Sequence, residues 1–153
     1  MRRTPPSFMA GTLGPVPVVP VSPGYRGDVP DWKTVRRIAL SFPEVAEDAG
    51  GRRGYRIRGK LFAWEARERD GGGLAVRVER EEKRMILESG SDAYFTSPHY
   101  DGYPAVQIRL ERVAYDELRE RLEDAWLIQA PRRLAAAYLA QRHDLRPDGR
   151  VQR

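Results

Sequence analysis

The segment "PHYDGYP" (98–104) holds the densest group of side chains that could do chemistry. His99, one of two histidines in the chain, stands beside Tyr100 and close to Tyr103, and proline closes the segment at both ends. A histidine gives or takes a proton near neutral pH, so these three side chains could form the rim of a pocket for a small ligand or peptide. The sequence favours the other interpretation, a rigid connection between strands in which Gly102 takes a positive φ.

A second group consists of cations in the stretch "GRRGYRIRGK" (51–60). Its members are Arg52, Arg53, Arg56, Arg58 and Lys60. Cations spaced along a strand can follow the phosphates of a nucleic acid. The alternative is a solvated strand face, on which arginine stems cover apolar surface.

Other kinds of site lack the residues that they need. The chain has no cysteine and only two histidines, His99 and His143, so neither a thiolate nucleophile nor a histidine metal centre is expected. There is no G-x-S-x-G motif and no P-loop, and "GGG" (71–73) is typical of a hairpin turn. We therefore predict no catalytic residue, no metal site and no cofactor. The sequence favours a binding protein over an enzyme without deciding between them, and it leaves open a Mg²⁺ site built from carboxylates alone.

Charge is distributed unevenly along the chain. The net charge is +5, but residues 31–140 carry only +1, and within them 51–60 carry +5 while 61–130 carry −5. The net positive charge first suggests nucleic acid, but this distribution weakens that inference, because the domain is polarised more than it is basic. The 24 arginines against 3 lysines weaken that inference, because this bias often reflects GC-rich coding.

The composition predicts three parts of the chain. Residues 1–30 hold 7 of the 12 prolines and are expected to form a disordered arm. Residues 31–140 form the domain, and residues 141–153 form a charged, flexible tail. The prolines interrupt the apolar run after Arg2 and Arg3, which argues against a signal peptide and favours a cytoplasmic location. No run is long and apolar enough to predict a membrane partner.

The spacing of apolar residues predicts the elements around the first cation group. Asp31 is a suitable N-cap for a helix that Pro43 ends. A hairpin follows, with Gly59-Lys60 as a type II′ turn. This turn pairs Tyr55 with Trp64 on the buried face of the hairpin and leaves Arg56 and Arg58 on the other face.

The remaining pattern predicts a strand at 74–78, a helix at 80–88 with Met85 and Ile86 in the core, and strands at 93–96 and 105–110. Asp116 is a suitable cap for a helix to about residue 127, and a last helix follows Pro131. The order α-β-β-β-α-β-β-α-α indicates an α+β fold, in which an antiparallel sheet packs against helices as a two-layer sandwich.

Three blocks in the same order and spacing resemble the MmcQ/YjbR family. They are "RGKLFAWE" (58–65), "TSPHYDGYPAVQIRL" (96–110) and "LEDAWLIQAPRRLAAAY" (122–138), within a similarity that covers roughly residues 35–140. The resemblance implies a small α+β sandwich, likened to secretion chaperones and to a double-wing DNA-binding module. It implies DNA binding from that shape alone, and no reaction or catalytic residues.

These observations give one hypothesis and two alternatives. The first is a monomer that binds double-stranded DNA weakly and with little sequence preference through the cations of 51–60. The second is a small-ligand or peptide-binding module with His99, Tyr100 and Tyr103 at its rim. The third, an accessory protein similar to a chaperone, rests on the fold analogy alone.

Overall fold

A computed structural model describes residues 29–144 of the chain, with the side chains of 29–142. It contains four α-helices and six strands in this region. In chain order they are α1 (Trp32–Ser41), β1 (Val45–Glu47), β2 (Gly54–Ile57), β3 (Lys60–Glu65), β4 (Leu74–Arg77), α2 (Arg80–Glu88), β5 (Tyr94–Phe95), β6 (Ala105–Ile108), α3 (Tyr115–Gln129) and α4 (Arg132–Asp144). The predicted α+β class is confirmed.

The strands form one sheet in the order β1-β2-β3-β4-β6-β5, and every neighbouring pair is antiparallel. The strand β1 is absent from the predicted order. It has three residues, of which Val45 is half-buried and the next two are exposed, so it shows no period-2 alternation that the sequence could reveal. It adds an edge strand beside β2, with Glu47 opposite Tyr55.

One face of the sheet packs against α1 and α3 and forms the main core. Val76 and Ile108 of the sheet are fully buried there, together with Leu118, Leu122 and Trp126 of α3. The Trp126 indole donates a hydrogen bond to the carbonyl oxygen of Pro43 at 3.2 Å, which satisfies the polar atom of the largest buried side chain. We call this side of the sheet the core face and the opposite side the outer face.

Two helix starts differ in their caps. At α1, the Asp31 carboxylate accepts from the Thr34 amide at 3.0 Å, as the sequence predicts, and the Thr34 side chain completes a capping box. At α3, the predicted cap Asp116 lies inside the first turn, and Ala114 occupies the cap position without a side-chain bond. A carboxylate in the first turn still stabilises the helix by interacting with the helix dipole. Aspartate is therefore compatible both with the cap position and with the first turn.

The hairpin between β2 and β3 turns one residue earlier than predicted. Its two turn residues are Arg58 and Gly59, with φ of 52° and 84°, and Ile57 pairs with Lys60. Positive φ at both positions defines a type I′ turn, the form that matches the twist of a hairpin. The prediction of a type II′ turn at Gly59-Lys60 is therefore wrong. Arg58, although it is not a glycine, adopts the left-handed conformation at the first turn position.

This change of register moves Trp64 to the outer face. Tyr55 pairs with Ala63, and Trp64 lies opposite Gly54 on β2 and Ala75 on β4. An irregularity in the β2–β3 ladder near Tyr55 keeps Phe62 fully buried in the core. A shift of one residue reverses which side chains face the core, so the predicted Tyr55–Trp64 pair does not form.

Helix α2 spans the predicted residues but buries fewer of them. Ile86 is buried in the core, whereas Met85 is 57% exposed, so the prediction of Met85 as a core residue is wrong. Lys83 is the buried residue one turn earlier, at 6% exposure, because its ammonium group finds acceptors in a neighbouring loop. Within residues 29–144, none of the helices is sufficiently long and apolar to cross a membrane.

Candidate nucleic-acid interface

Three of the five predicted hairpin cations are paired with carboxylates. Arg53 contacts Glu65 at 3.3 Å, Arg56 contacts Asp48 at 2.8 Å, and Arg58 contacts Glu44 at 2.6 Å. The structure therefore brings a carboxylate to each of these arginines from 8 to 14 residues away in the sequence. The local positive charge is lower than the sequence alone suggests.

The other two cations of the group are exposed and unpaired. Arg52 and Lys60 make no ion pair or side-chain hydrogen bond with any residue in 29–144. Lys60 adjoins the hairpin turn, and Arg52 lies in the loop between β1 and β2. These two side chains are free to contact an external anion.

Arg56 is separated from the rest of the group. It lies opposite Ala46 and Leu61, on the outer face, where Asp48 and the Gly59 carbonyl oxygen accept its guanidinium hydrogens. A half-buried guanidinium with two acceptors within the chain is largely satisfied. Its predicted position away from the core is confirmed, but it does not extend the exposed positive surface.

Helix α1 contributes further cations beside β1 and β2. The Arg36 guanidinium donates to both carboxylate oxygens of Glu47 at 3.0 and 3.1 Å, and Arg53 lies over the Trp32 ring, 5.0 Å from its centroid. Lys33 and Arg37 are exposed on the same helix. The spacing of "KTVRR" (33–37) on a helix could have indicated this surface, since residues three and four apart are neighbours.

We call this surface the basic edge. It comprises Lys33, Arg36, Arg37, Arg52, Arg53, Arg58 and Lys60. The helix part of it contains a shallow concavity of about 480 Å³, lined by Lys33, Arg36 and Arg37 together with Leu40 and Ser41. The chemistry of this lining suits an anion.

Titration behaviour agrees with the pairing on the basic edge. The hydrogen bond from Arg58 lowers the pKa of the Glu44 carboxyl, and the same bond raises the pKa of Arg58. The hydrogen bond to Glu47 likewise raises the pKa of Arg36. Glu44, Arg58 and Arg36 are therefore all charged at neutral pH, and their charges do not change when the pH moves slightly from that value.

The charges also divide between the two halves of the domain. Residues 31–65, which form α1 and β1–β3, carry a net +3, and residues 66–130 carry a net −4. The acidic excess includes Glu79, Glu82 and Asp124, which line a concavity between α2 and α3. The positive excess therefore lies in the segment that carries the basic edge.

The segment 98–104 is held firmly by α2. The Lys83 ammonium donates to the carbonyl oxygens of Tyr100 and Tyr103, at 2.5 and 2.8 Å, and burial lowers the pKa of Lys83. Arg80 donates to the Gly102 carbonyl oxygen at 2.9 Å. Buried amine groups need such acceptors, so these bonds fix the loop and the lysine together.

The positive φ predicted for Gly102 is wrong. Gly102 is not among the residues with positive φ, and a Cβ placed on it would meet no atom within 4 Å. The segment turns through bonds between residues three apart, from the Tyr100 amide to the Ser97 carbonyl and from the Tyr103 amide to the Tyr100 carbonyl. Turns of this kind are compatible with most residues, so no glycine is required.

The three predicted rim residues are brought together with Trp64, but they do not share one environment. Tyr100 is buried, and its hydroxyl accepts a hydrogen bond from the Trp64 indole at 2.9 Å. His99 is exposed and packs edge-on against Tyr100, with ring centroids 4.8 Å apart. Tyr103 is 44% exposed. Tyr100 therefore acts as an anchor on the outer face, and His99 and Tyr103 remain accessible.

A concavity near the start of the loop involves other residues. Its volume is about 490 Å³, and its lining includes Arg69, Phe95, Pro98 and Arg109 but not His99, Tyr100 or Tyr103. Among residues 29–144 there is no group of three or more histidine, aspartate or glutamate side chains arranged to hold a metal ion. The side chain of His143 lies outside the described residues.

Comparisons with known proteins point to one family. The family model described as YjbR matches residues 40–128. Proteins named as uncharacterised from Mycobacterium bovis and from two strains of Mycobacterium tuberculosis are each 38% identical over 125 residues, which covers 71% of this chain and 95% of theirs. The similarity therefore extends across nearly the whole of these relatives.

A solved structure supports the same fold. The crystal structure of a Deinococcus radiodurans protein with a DUF419 domain superimposes with a TM-score of 0.55, at 15% identity, over 65% of this chain and 78% of that one. At this identity the likeness concerns the fold alone.

Proposed function

We propose that this chain, which belongs to the YjbR family, binds double-stranded DNA weakly and with little sequence preference through its basic edge. The proposal rests on one observation: the hairpin cations lie next to the cations of α1, in the segment of the domain that has a net positive charge. Contacts from exposed cations to phosphates account for most non-specific binding to DNA.

The ion pairs on the basic edge leave their arginines available. The side chains of Arg36, Arg53 and Arg58 are 59%, 47% and 56% exposed although each contacts a carboxylate. Exposed ion pairs contribute about 0–1 kcal/mol, so a phosphate can replace the carboxylate at little cost. The pairs also hold the guanidinium groups in place, which lowers the entropy lost on binding.

The same pairs explain why we expect weak binding. Each displaced carboxylate stays close to the DNA and repels it. Within the basic edge, four cations have no ion pair with a described residue: Lys33, Arg37, Arg52 and Lys60. Phosphate contacts carry no direct sequence information. Micromolar or weaker affinity, with similar values for unrelated duplexes, follows from this arrangement.

The first experiment measures duplex binding by fluorescence anisotropy as salt rises from about 50 to 200 mM. We expect the affinity to fall steeply, and neutralising Arg52 and Lys60 together to reduce the logarithmic salt slope by about 0.9 for each lost phosphate contact. The matched control is Arg84→Gln on α2, which removes an exposed cation that is paired with Glu81 and Glu88. A duplex affinity that does not change with salt concentration contradicts the proposal. An equal loss of affinity in Arg84→Gln and in the variant that lacks the Arg52 and Lys60 charges also contradicts it.

A second experiment uses variants with increased positive charge. Glu44→Gln removes the partner of Arg58, so we expect it to strengthen duplex binding severalfold. Glu88→Gln changes the net charge by the same amount but does so on α2, where it removes one of the two carboxylates that contact Arg84. Equal strengthening in both variants would mean that net charge alone governs binding and that the basic edge is not the site.

A further inference from the structure

We propose a second binding surface, on the outer face of the sheet, that takes single-stranded nucleic acid by stacking bases on Tyr103 and Trp64 and by contacting a phosphate with Arg77. This surface lies apart from the basic edge and requires unpaired bases rather than a duplex. It rests on three observations: a group of aromatic rings in which Tyr103 is exposed and Trp64 half-buried, a guanidinium without a hydrogen-bond acceptor among the described residues, and a loop backbone that holds Tyr103 in place.

The rings form a continuous group on the side of the sheet that lacks helices. Trp64 and Tyr103 meet edge to face at a centroid distance of 6.2 Å, and Tyr100 lies 6.2 Å from Tyr103. Tyr100 is buried against Ala75 and Ala105 of the sheet, whereas Tyr103 is 44% exposed and Trp64 is half-buried. The two accessible rings are therefore contiguous rather than scattered, and a contiguous apolar patch on a surface is a candidate binding site.

Arg77 lies beside these rings without a polar partner. Its guanidinium carbon is 5.6 Å from the centroid of the Tyr103 ring. Its Nε atom is buried and has no hydrogen-bond acceptor among the described residues, and no carboxylate there forms an ion pair with it. The buried Nε is an unfavourable, unsatisfied donor, whereas the charge of this half-buried side chain contacts only the Tyr103 ring among the described residues. A phosphate at the terminal guanidinium nitrogens would neutralise the charge in the complex.

The position of Tyr103 is fixed before any ligand arrives. Arg80 donates to the carbonyl oxygen of Gly102, and Lys83 donates to those of Tyr100 and Tyr103 itself, so the backbone is held up to and at Tyr103. The Tyr103 amide also donates to the Tyr100 carbonyl oxygen at 3.0 Å. A ring that is already ordered loses little entropy on binding, which favours its use as a platform for stacking.

Single-stranded nucleic acid fits this chemistry better than the other anionic partners. Every base has a π face that stacks on tyrosine or tryptophan, and each nucleotide carries the phosphate that Arg77 lacks. In a duplex the bases are stacked on each other and the rings cannot reach them. A small carboxylate would satisfy Arg77 but would leave the exposed rings without a partner.

The test compares three ten-nucleotide probes at one low salt concentration: oligo-dT, oligo-rU and an abasic strand with the same phosphates. We expect the pyrimidine strands to bind at least about tenfold more tightly than the abasic strand, because the abasic strand cannot stack. Tyr103→Ala should weaken oligo-dT binding by roughly 5- to 100-fold, and Tyr103→Phe should stay within about twofold of the wild type. A matched oligo-dU strand, which differs from oligo-rU only in the 2′-hydroxyl, then tests the sugar: tighter rU binding identifies RNA as the partner, and tighter dU binding identifies DNA.

The controls separate this surface from the basic edge. Arg77→Gln should weaken the binding of both pyrimidine strands, whereas Arg84→Gln should leave their affinities unchanged. Tyr103→Phe shows that the fold tolerates a substitution at residue 103. Duplex binding should respond to Arg52 and Lys60 but not to Tyr103. Equal binding of the abasic and pyrimidine strands, or full oligo-dT binding by a folded Tyr103→Ala, overturns this inference whatever the duplex result is.

Discussion

At the scale of single residues, two glycines that look alike in the sequence have different roles. Gly73 has a φ of 82°, and a Cβ placed on it would lie 2.7 Å from the carbonyl oxygen of Ile108. Gly102 has neither constraint. We expect Gly73→Val to lower the free energy of unfolding by more than about 1 kcal/mol, and Gly102→Val to change it by less than about 0.5 kcal/mol. Urea denaturation of the two variants measures this, and equal losses would contradict the turn geometry described above.

At the scale of elements, α2 holds the 98–104 loop through Arg80 and Lys83, in addition to placing Ile86 in the core. Lys83→Met keeps the apolar stem but removes the donor to the carbonyl oxygens of Tyr100 and Tyr103. We expect faster hydrogen exchange at the amides of Tyr103 and Ala105, because the loop then opens more often. Arg84→Met on the same helix, whose side chain contacts only carboxylates of α2, is the matched control. Unchanged exchange in Lys83→Met would show that the loop is ordered by its own turns.

The contact between β5 and α3 gives a prediction about pH. The Tyr94 hydroxyl donates to Glu117 and accepts from Arg121, and burial raises the pKa of Tyr94 to about 12. The folded state thus keeps the proton at pH values where the unfolded state, with a pKa near 10, loses it. The stabilisation is complete below pH 10 and is lost as the pH rises towards 12. Tyr94→Phe should show a smaller decrease in unfolding free energy over this range, and parallel curves would contradict the assignment.

At the scale of the whole molecule, the described domain should fold without the segment that precedes it. Among the described residues, Val29 is 59% exposed and Pro30 is the first that is buried. Residues 1–28 lie outside the described residues, and their proline content predicts no periodic apolar face. We expect a chain that begins at Val29 to melt within about 5 °C of the full chain. A larger decrease would show that the segment packs on the domain.

The sequence by itself determined those features that depend on neighbouring residues. The Asp31 cap and the stripe of Val35 and Ile38 define α1, and the span of α2 matches the predicted 80–88. The alternation of Leu74 and Val76 likewise identifies β4. Helical and strand periods are local properties, so these elements and the α+β class could be predicted without tertiary contacts. The three sequence blocks that resemble the YjbR family also indicated the family to which the chain belongs.

The tertiary structure alone decided which side chains meet at the two candidate surfaces. Arg58 forms an ion pair with Glu44 across 14 residues, and Arg36 meets Glu47 across 11, because β1 pairs beside β2. Trp64 lies on the outer face because Arg58 accepts a positive φ and the ladder is irregular near Tyr55. Local propensity favours glycine in such a turn, whereas packing of Phe62 and Ile57 in the core favours the observed register. The choice between the predicted and the observed register depends on contacts between residues that are distant in the sequence, and local sequence patterns do not reveal such contacts.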